Sequence, residues 1–346
     1  MSFWQDKKKP IIGLSPMDGV TDEPMRQISA KYGHPGVIFT EFVNVEYAVR
    51  QPGKILKRFF YSPIERPIVA QISGVTPSLF YQFAFLAAYL GFDGVDINMG
   101  CPSRTVTYHG GGAALIDNQK LAQELVLSAR AGLEDWQAGK KVTSVVSSQD
   151  VLLEIEAINK KNQSLGAGRG SGQVGLSVKT RLGIKKACVN KWLGFLASLP
   201  LEAITVHGRV LEAGHSGPVD WEATALAAKI AHREGKILLG NGSVKSWSEA
   251  KKASGEYNLD GVLIGRGAMG NPWVFTDKVP IEDERLSVMM EHVRYYLDLF
   301  GNENFISLRK HLAWYARGFS GARRLRSRLV RANNLAEVKK IIKKFS

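Results

Sequence analysis

Eight short apolar runs, rich in β-branched residues, punctuate the chain: Ile11 to Leu14, Val37 to Thr40, Ile68 to Ile72, Gly94 to Ile97, Gly175 to Thr180, Ala203 to Val206, Ile237 to Leu239 and Gly261 to Ile264. Runs this short and this apolar predict strands buried on both faces. Between most of them, apolar positions three and four apart predict helices at Leu79 to Leu90, Asn118 to Arg130, Val189 to Leu199, Trp221 to Arg233 and Ser246 to Ala253. Strands alternating with helices imply a parallel sheet, and eight such units are what a closed (β/α)8 TIM barrel requires, a doubly wound open sheet being the competing arrangement.

Two segments break the repeat. Trp136 to Val174 intrudes between the fourth and fifth strands as an insertion, with Ser- or Gly-rich stretches at Ser144 to Ser148 and Ser164 to Gln173, expected to be mobile, flanking a short helix at Val151 to Lys161. After Pro280 the strand signal stops, and Leu286, Met289, Val293, Tyr296 and Phe300 form one helical stripe. The expected organisation is α/β: a barrel over 1–279 with the 136–174 insertion, followed by an all-helical domain over 280–346.

Charge sharpens that division. The chain carries +14 overall, and Phe305 to Ser346 holds twelve Lys/Arg against Glu337 alone, so most of the excess sits in the helical tail. A concentrated basic segment favours polyanions through counterion release. Two cysteines, Cys101 and Cys188, make no disulfide framework, no Cys/His cluster suggests zinc, and no long apolar run suggests a signal or membrane span. A reducing, cytoplasmic setting is expected.

In a barrel of this kind chemistry belongs at the carboxyl ends of the strands. The first strand exits into Ser15 to Asp22, where Pro16 and Gly19 shape a loop and Thr21 or Asp22 offers a helix cap. The third ends at Gln71, whose amide suits either a ring edge or buried backbone. The fourth delivers Asn98 and Cys101, the latter between Gly100 and Pro102, a setting open to a nucleophile or general acid. The fifth and sixth end in Lys179-Thr180-Arg181 and His207-Gly208-Arg209, and a barrel interior does not hold Lys and His without partners. The seventh and eighth end in Gly240 to Ser243 and Gly265 to Ala268, glycine-rich loops where barrels commonly seat a phosphate. No P-loop is present.

Pro16-Met17-Asp18-Gly19-Val20-Thr21-Asp22, Asp96-Ile97-Asn98-Met99-Gly100-Cys101-Pro102, Lys179-Thr180-Arg181-Leu182-Gly183 and Thr205-Val206-His207-Gly208-Arg209, in this order, resemble the tRNA-dihydrouridine synthases, as do Asn241-Gly242, Gly265 to Ala268 and Lys310 to Tyr315. The resemblance implies FMN in the barrel mouth, NADPH as reductant, and hydride transfer to the 5,6 double bond of a tRNA uridine with Cys101 protonating the other carbon. It implies that Pro16, Met17, Asp18, Gln71, Lys179 and His207 contact the flavin and that Asn241, Gly242, Ser243, Gly265 and Arg266 hold its phosphate. Asn98 would hold the flipped uracil, with Arg181, Arg309, Arg323, Arg324 and Arg326 on the tRNA. Asp18 stands where a small residue is more usual, and the insertion departs from the family pattern. In the tail, Trp314, Tyr315 and Phe319 either stack on bases or pack the helical core. A flavin barrel acting on a small molecule such as a free pyrimidine, and a barrel that only binds RNA, are the competing readings.

Overall fold

The computed structural model describes residues 2–168, 173–214 and 216–345. The eight anticipated strands are all present: β1 (Ile11–Leu14), β2 (Ile38–Phe39, resuming as Val43–Asn44), β3 (Ile68–Ser73), β4 (Gly94–Met99), β5 (Gly175–Arg181), β6 (Ala203–His207), β7 (Ile237–Asn241) and β8 (Gly261–Ile264). Every pairing is parallel. Ile11 opposite Gly261 joins β1 to β8, and Ile38 opposite Ile68 joins β2 to β3, so the sheet closes into a barrel.

Both faces of each strand are buried for different reasons. Ile12, Leu14, Ile68, Ala70, Val95 and Ile97 point outward into the main core, against helices such as Pro77–Tyr89 and Gln119–Gln137. Ile11, Val37, Phe39, Val69, Ala203, Leu239 and Leu263 point inward and fill the bottom of the barrel, where Trp4 closes the end as a plug. Above that apolar floor the inward positions turn polar: Gln71, Asp96 and Ser177 share one register, and Arg181, His207 and Asn241 lie nearer the mouth. The fold therefore places its buried polar groups at the end where the βα loops converge.

The insertion forms a helix at Gln149–Ser164, longer than anticipated, burying Val151, Ile155, Ile158 and Asn162. Asn162 accepts the N–H of Tyr61 at 3.2 Å and donates to the carbonyl of Phe59 at 3.1 Å, which fixes this helix to the segment following β2. Residues 169–172, part of the stretch expected to be mobile, lie outside the described residues.

Beyond the barrel, helices Glu282–Phe300, Phe305–Tyr315, Ala322–Leu329 and Leu335–Lys343 enclose a second apolar core built from Leu286, Met289, Val293, Leu308, Leu312, Leu325 and Val338. Ile28 and Trp273 of the barrel enter this core, and Glu291 receives Lys31 at 2.6 Å and the Tyr32 hydroxyl at 2.5 Å, so the helices are docked on the barrel. Among the described residues no helix is long and apolar enough to cross a membrane.

Candidate active site

A cleft of about 1190 Å³ opens at the carboxyl ends of the strands, more than a drug-sized ligand needs. Among the described residues seven Lys/Arg line it (Lys179, Arg181, Arg209, Lys245, Arg266, Arg285 and Arg317), against Asp18 as the only acid, so its electrostatics select for an anion.

Cys101 enters this cleft from β4 on a loop tied down by the side chain of Asn98. Asn98 Oδ1 accepts the N–H groups of Gly100 at 3.1 Å and Cys101 at 2.9 Å, while its Nδ2 donates to Gln71 Oε1 at 3.0 Å. Gln71 Nε2 in turn donates to Asp96 Oδ2 at 2.7 Å, and the Ser177 hydroxyl donates to the other oxygen at 2.7 Å. Burial pushes the Asp96 carboxyl up to about 6, opposed by those two hydrogen bonds. The chain from Asp96 to Cys101 is thus a continuous relay that orients the loop. Burial also raises the Cys101 thiol, with the charge of Asp18 adding to it against the Ser103 amide, so the sulfur stays protonated at neutral pH.

On the adjoining strand β5, in register with Asn98, stands Lys179, whose Nζ donates to Asn241 Oδ1 at 3.0 Å while Asn241 Nδ2 donates to the carbonyl of Leu263 at 2.8 Å. Desolvation, then the charge of Arg181, brings the lysine down to about 8. Arg209 Nη1 lies 3.0 Å from His207 Nε2, and since a guanidinium only donates, that ring nitrogen is the acceptor and the ring proton sits on Nδ1. Arg209 also donates to Ser243 Oγ at 2.6 Å. Gly242 has φ 141, and a Cβ there would come within 3.0 Å of Val219; Ser243 follows in the left-handed region at φ 54. At Gly265 a Cβ would approach Met17 Sδ at 3.3 Å, so both glycines keep the cleft wall open at the backbone.

The first loop is self-tied. The Met17 N–H donates to Thr21 Oγ1 at 3.0 Å, and Asp22, rather than Thr21, caps the following helix by accepting the N–H of Met25 at 3.0 Å. Asp18, the unexpected acid, has a partner that sequence did not offer: Arg58 Nη2 sits 2.7 Å from it, and the same guanidinium donates to the Phe42 carbonyl. Pro16, Met17 and Asp18 all line the cleft.

Arg181 is 1% exposed and spends its donors on the carbonyls of Gly100, Val210 and Gly214 at 2.8, 3.3 and 3.2 Å. It braces the Cys101 loop against the loop after β6. In the tail, part-buried Arg309 donates to the Ala332 carbonyl at 2.7 Å, whereas Arg323, Arg324 and Arg326 are exposed on a helix whose other face buries Leu325 and Leu329, Arg326 also donating to the Ala316 carbonyl at 3.1 Å. Tyr315 is buried and Trp314 and Phe319 are part-buried, with Tyr315 and Phe319 in the helical core, which favours packing over stacking for these two. Cys188 lies away from the cleft, its Sγ 3.5 Å from the Leu182 carbonyl. Arg209, Lys245, Arg285 and Arg317 are cleft residues that strand-end reading did not single out. The flanking position of Arg209 was visible; the two tail arginines had no local signal.

A family model described as "Dihydrouridine synthase (Dus)" matches residues 13–146 and 163–346, and the unmatched stretch covers most of the insertion helix. "Probable tRNA-dihydrouridine synthase 2" of Bacillus subtilis (strain 168) is 29% identical over 99% of this chain and 96% of its own length. "Probable tRNA-dihydrouridine synthase" of Staphylococcus aureus (strain MRSA252) is 28% identical over 99% and 95%. Among solved structures, a variant of NCR from Zymomonas mobilis aligns at 15% identity and a TM-score of 0.44, over 78% of this chain and 87% of that one.

Proposed function

The chain belongs to the dihydrouridine synthase family and is an oxidoreductase, and from that premise we propose that its cleft reduces the 5,6 double bond of a uridine in tRNA, with FMN as cofactor, NADPH as reductant and Cys101 as general acid. The observation that carries this reading is the convergence of Cys101, Lys179, His207 and Arg266 on one strongly basic cleft at the barrel mouth.

The donor set fits a flavin mononucleotide. Lys179, the Nδ1–H of His207 and the Gln71 amide suit the polar edge of the ring, Met17 and Pro16 offer an apolar face, and Asn241, Gly242, Ser243, Gly265 and Arg266 suit a phosphate. Held by these residues, a reduced flavin would supply the hydride for one carbon of the uracil 5,6 double bond. Cys101 Sγ gives its proton to the other carbon, which needs a thiol that is still protonated on arrival, and burial provides that. The charges of Arg181 and Lys179 favour the thiolate left behind, and water returns its proton. Asn98 commits its oxygen to the loop, so its second Nδ2–H is what it offers to a uracil carbonyl after the base has left its stack. NADPH visits without a dinucleotide fingerprint.

In this account residues 1–279 are the catalytic unit and 280–346 the tRNA-binding unit, with Arg309, Arg323, Arg324 and Arg326 facing the phosphates, in a cytoplasmic setting. Purified protein tests it: Cys101→Ala keeps its yellow colour and loses turnover, and a bleached variant would contradict the assignment of Cys101 to the acid role.

A further inference from the structure

Two arginines from beyond the barrel reach into the cleft. Arg285, in the first turn of helix Glu282–Phe300, and Arg317, just past helix Phe305–Tyr315, both line it beside Lys245, Arg266 and Asn271. Arg317 donates to the Met269 carbonyl, and the Arg285 guanidinium lies 5.9 Å from the centre of the Trp273 ring. Arg285 Nη1 is buried and makes no hydrogen bond. Among the described residues neither arginine takes part in an ion pair, and Glu284, next to Arg285 in the chain, is held by Lys278. Burial lowers both guanidinium pKa values, and in Arg317 the charge of Arg285 lowers it further.

Two half-buried like charges, close enough to repel, with one buried donor unused, lack the anion that would offset their cost. A guanidinium fork matches a phosphate with two parallel hydrogen bonds, which an isolated lysine does not. We propose that Arg285 and Arg317 form a phosphate-binding site at the seam between barrel and tail, and that its occupant is a backbone phosphate of the bound RNA. That choice of occupant rests on the function proposed above, because both arginines belong to the same helical segment as the basic tail. The site couples the two units: RNA held by the tail is fastened at the rim of the cleft in which its base must react. The other source of the same chemistry is the 2′-phosphate of NADPH.

The test uses the flavin-loaded enzyme with an unmodified tRNA transcript. Arg285→Met is expected to weaken RNA affinity about 10-fold and to make the plot of log affinity against log salt shallower by roughly 0.7 to 0.9 for the lost phosphate contact. Flavin content and the KM for NADPH stay at wild-type values. Arg285→Lys, which keeps the charge but loses the fork, restores the slope and only part of the affinity. A KM for NADPH that rises to that for NADH, with RNA binding unchanged, assigns the phosphate to the reductant. Unchanged RNA binding and unchanged NADPH KM, or a bleached protein, overturns the proposal. RNA affinity is read by equilibrium binding and the NADPH KM from NADPH oxidation with dioxygen as electron acceptor, both without product formation from tRNA, so failure of the proposed reaction in the wild type is seen separately.

Discussion

Replacing Lys179 by Met should make the flavin-free protein more stable and the flavin bind worse. In the folded chain burial and Arg181 bring the Lys179 ammonium from its ordinary value near 10.5 to about 8. At 1.36 kcal/mol per pKa unit that is a ceiling of roughly 3 kcal/mol of strain at pH 7, reduced by about half because the side chain is only part-buried against an open cleft. Methionine removes the charge and forfeits the 3.0 Å bond to Asn241, worth about 1 kcal/mol. The net expectation is a gain of up to about 1 kcal/mol at pH 7. Because the folded pKa lies below the unfolded one, the native state holds fewer protons between about 8 and 10.5, so wild-type stability rises with pH across that window. The variant lacks that rise, and its advantage disappears by pH 10.5. Urea unfolding of flavin-free protein at several pH values reads the stability, and the visible spectrum reads flavin retention. A variant that is less stable at pH 7 yet stays yellow would refute the claim that Lys179 is a desolvated cation kept for an anionic or electron-accepting ligand.

Cys101→Ala should leave flavin content and reduction by NADPH unchanged and slow reoxidation by tRNA about 10²- to 10⁴-fold, which stopped-flow spectra would follow. Asp96 has a folded pKa of about 6, above its unfolded value, so the native state takes up a proton between about 4 and 6 and this residue makes stability fall as pH rises through that window. Asp96→Asn should flatten that slope in pH-dependent urea melts; an unaltered slope would place the titration elsewhere. Asn162→Leu removes both hydrogen bonds from the insertion helix to residues 59 and 61 and should cost about 1 to 3 kcal/mol in the same assay, with full flavin content. Arg323, Arg324 and Arg326 reversed together to Glu should weaken tRNA binding and flatten its salt dependence, and an unchanged slope would move the RNA contact off this helix.

Much of this architecture is legible before the fold is known because a strand buried on both faces leaves a distinctive apolar run, as Ile68 to Ile72 and Gly261 to Ile264 do. Strand ends then point to Cys101, Lys179 and His207 without further information, since the barrel sends all of them to one mouth. What escapes is anything made by distant segments meeting. Asp18 stood out because a small residue is more usual there, and its partner, Arg58, lies forty residues away in the chain. Arg181 was expected on the tRNA, and only three carbonyls of distant residues turn it into a brace. Arg285 sits in a helix and Arg317 just past one, in a segment whose sequence speaks of packing and charge, and nothing local says that docking on the barrel brings them into the cleft. For the tail aromatics the sequence left RNA stacking and core packing both open, and Tyr315 and Phe319 help build the helical core.

The central claim is that this basic cleft carries out flavin-dependent reduction of a uridine in tRNA. One anaerobic cuvette tests it most directly: the spectrum of the purified protein, its change on adding NADPH, and its response to unmodified tRNA transcript or free uridine. The account predicts flavin bands that bleach with NADPH and recover with tRNA but not with free uridine. Flavin that bleaches and is indifferent to tRNA, or protein without flavin bands, would contradict it.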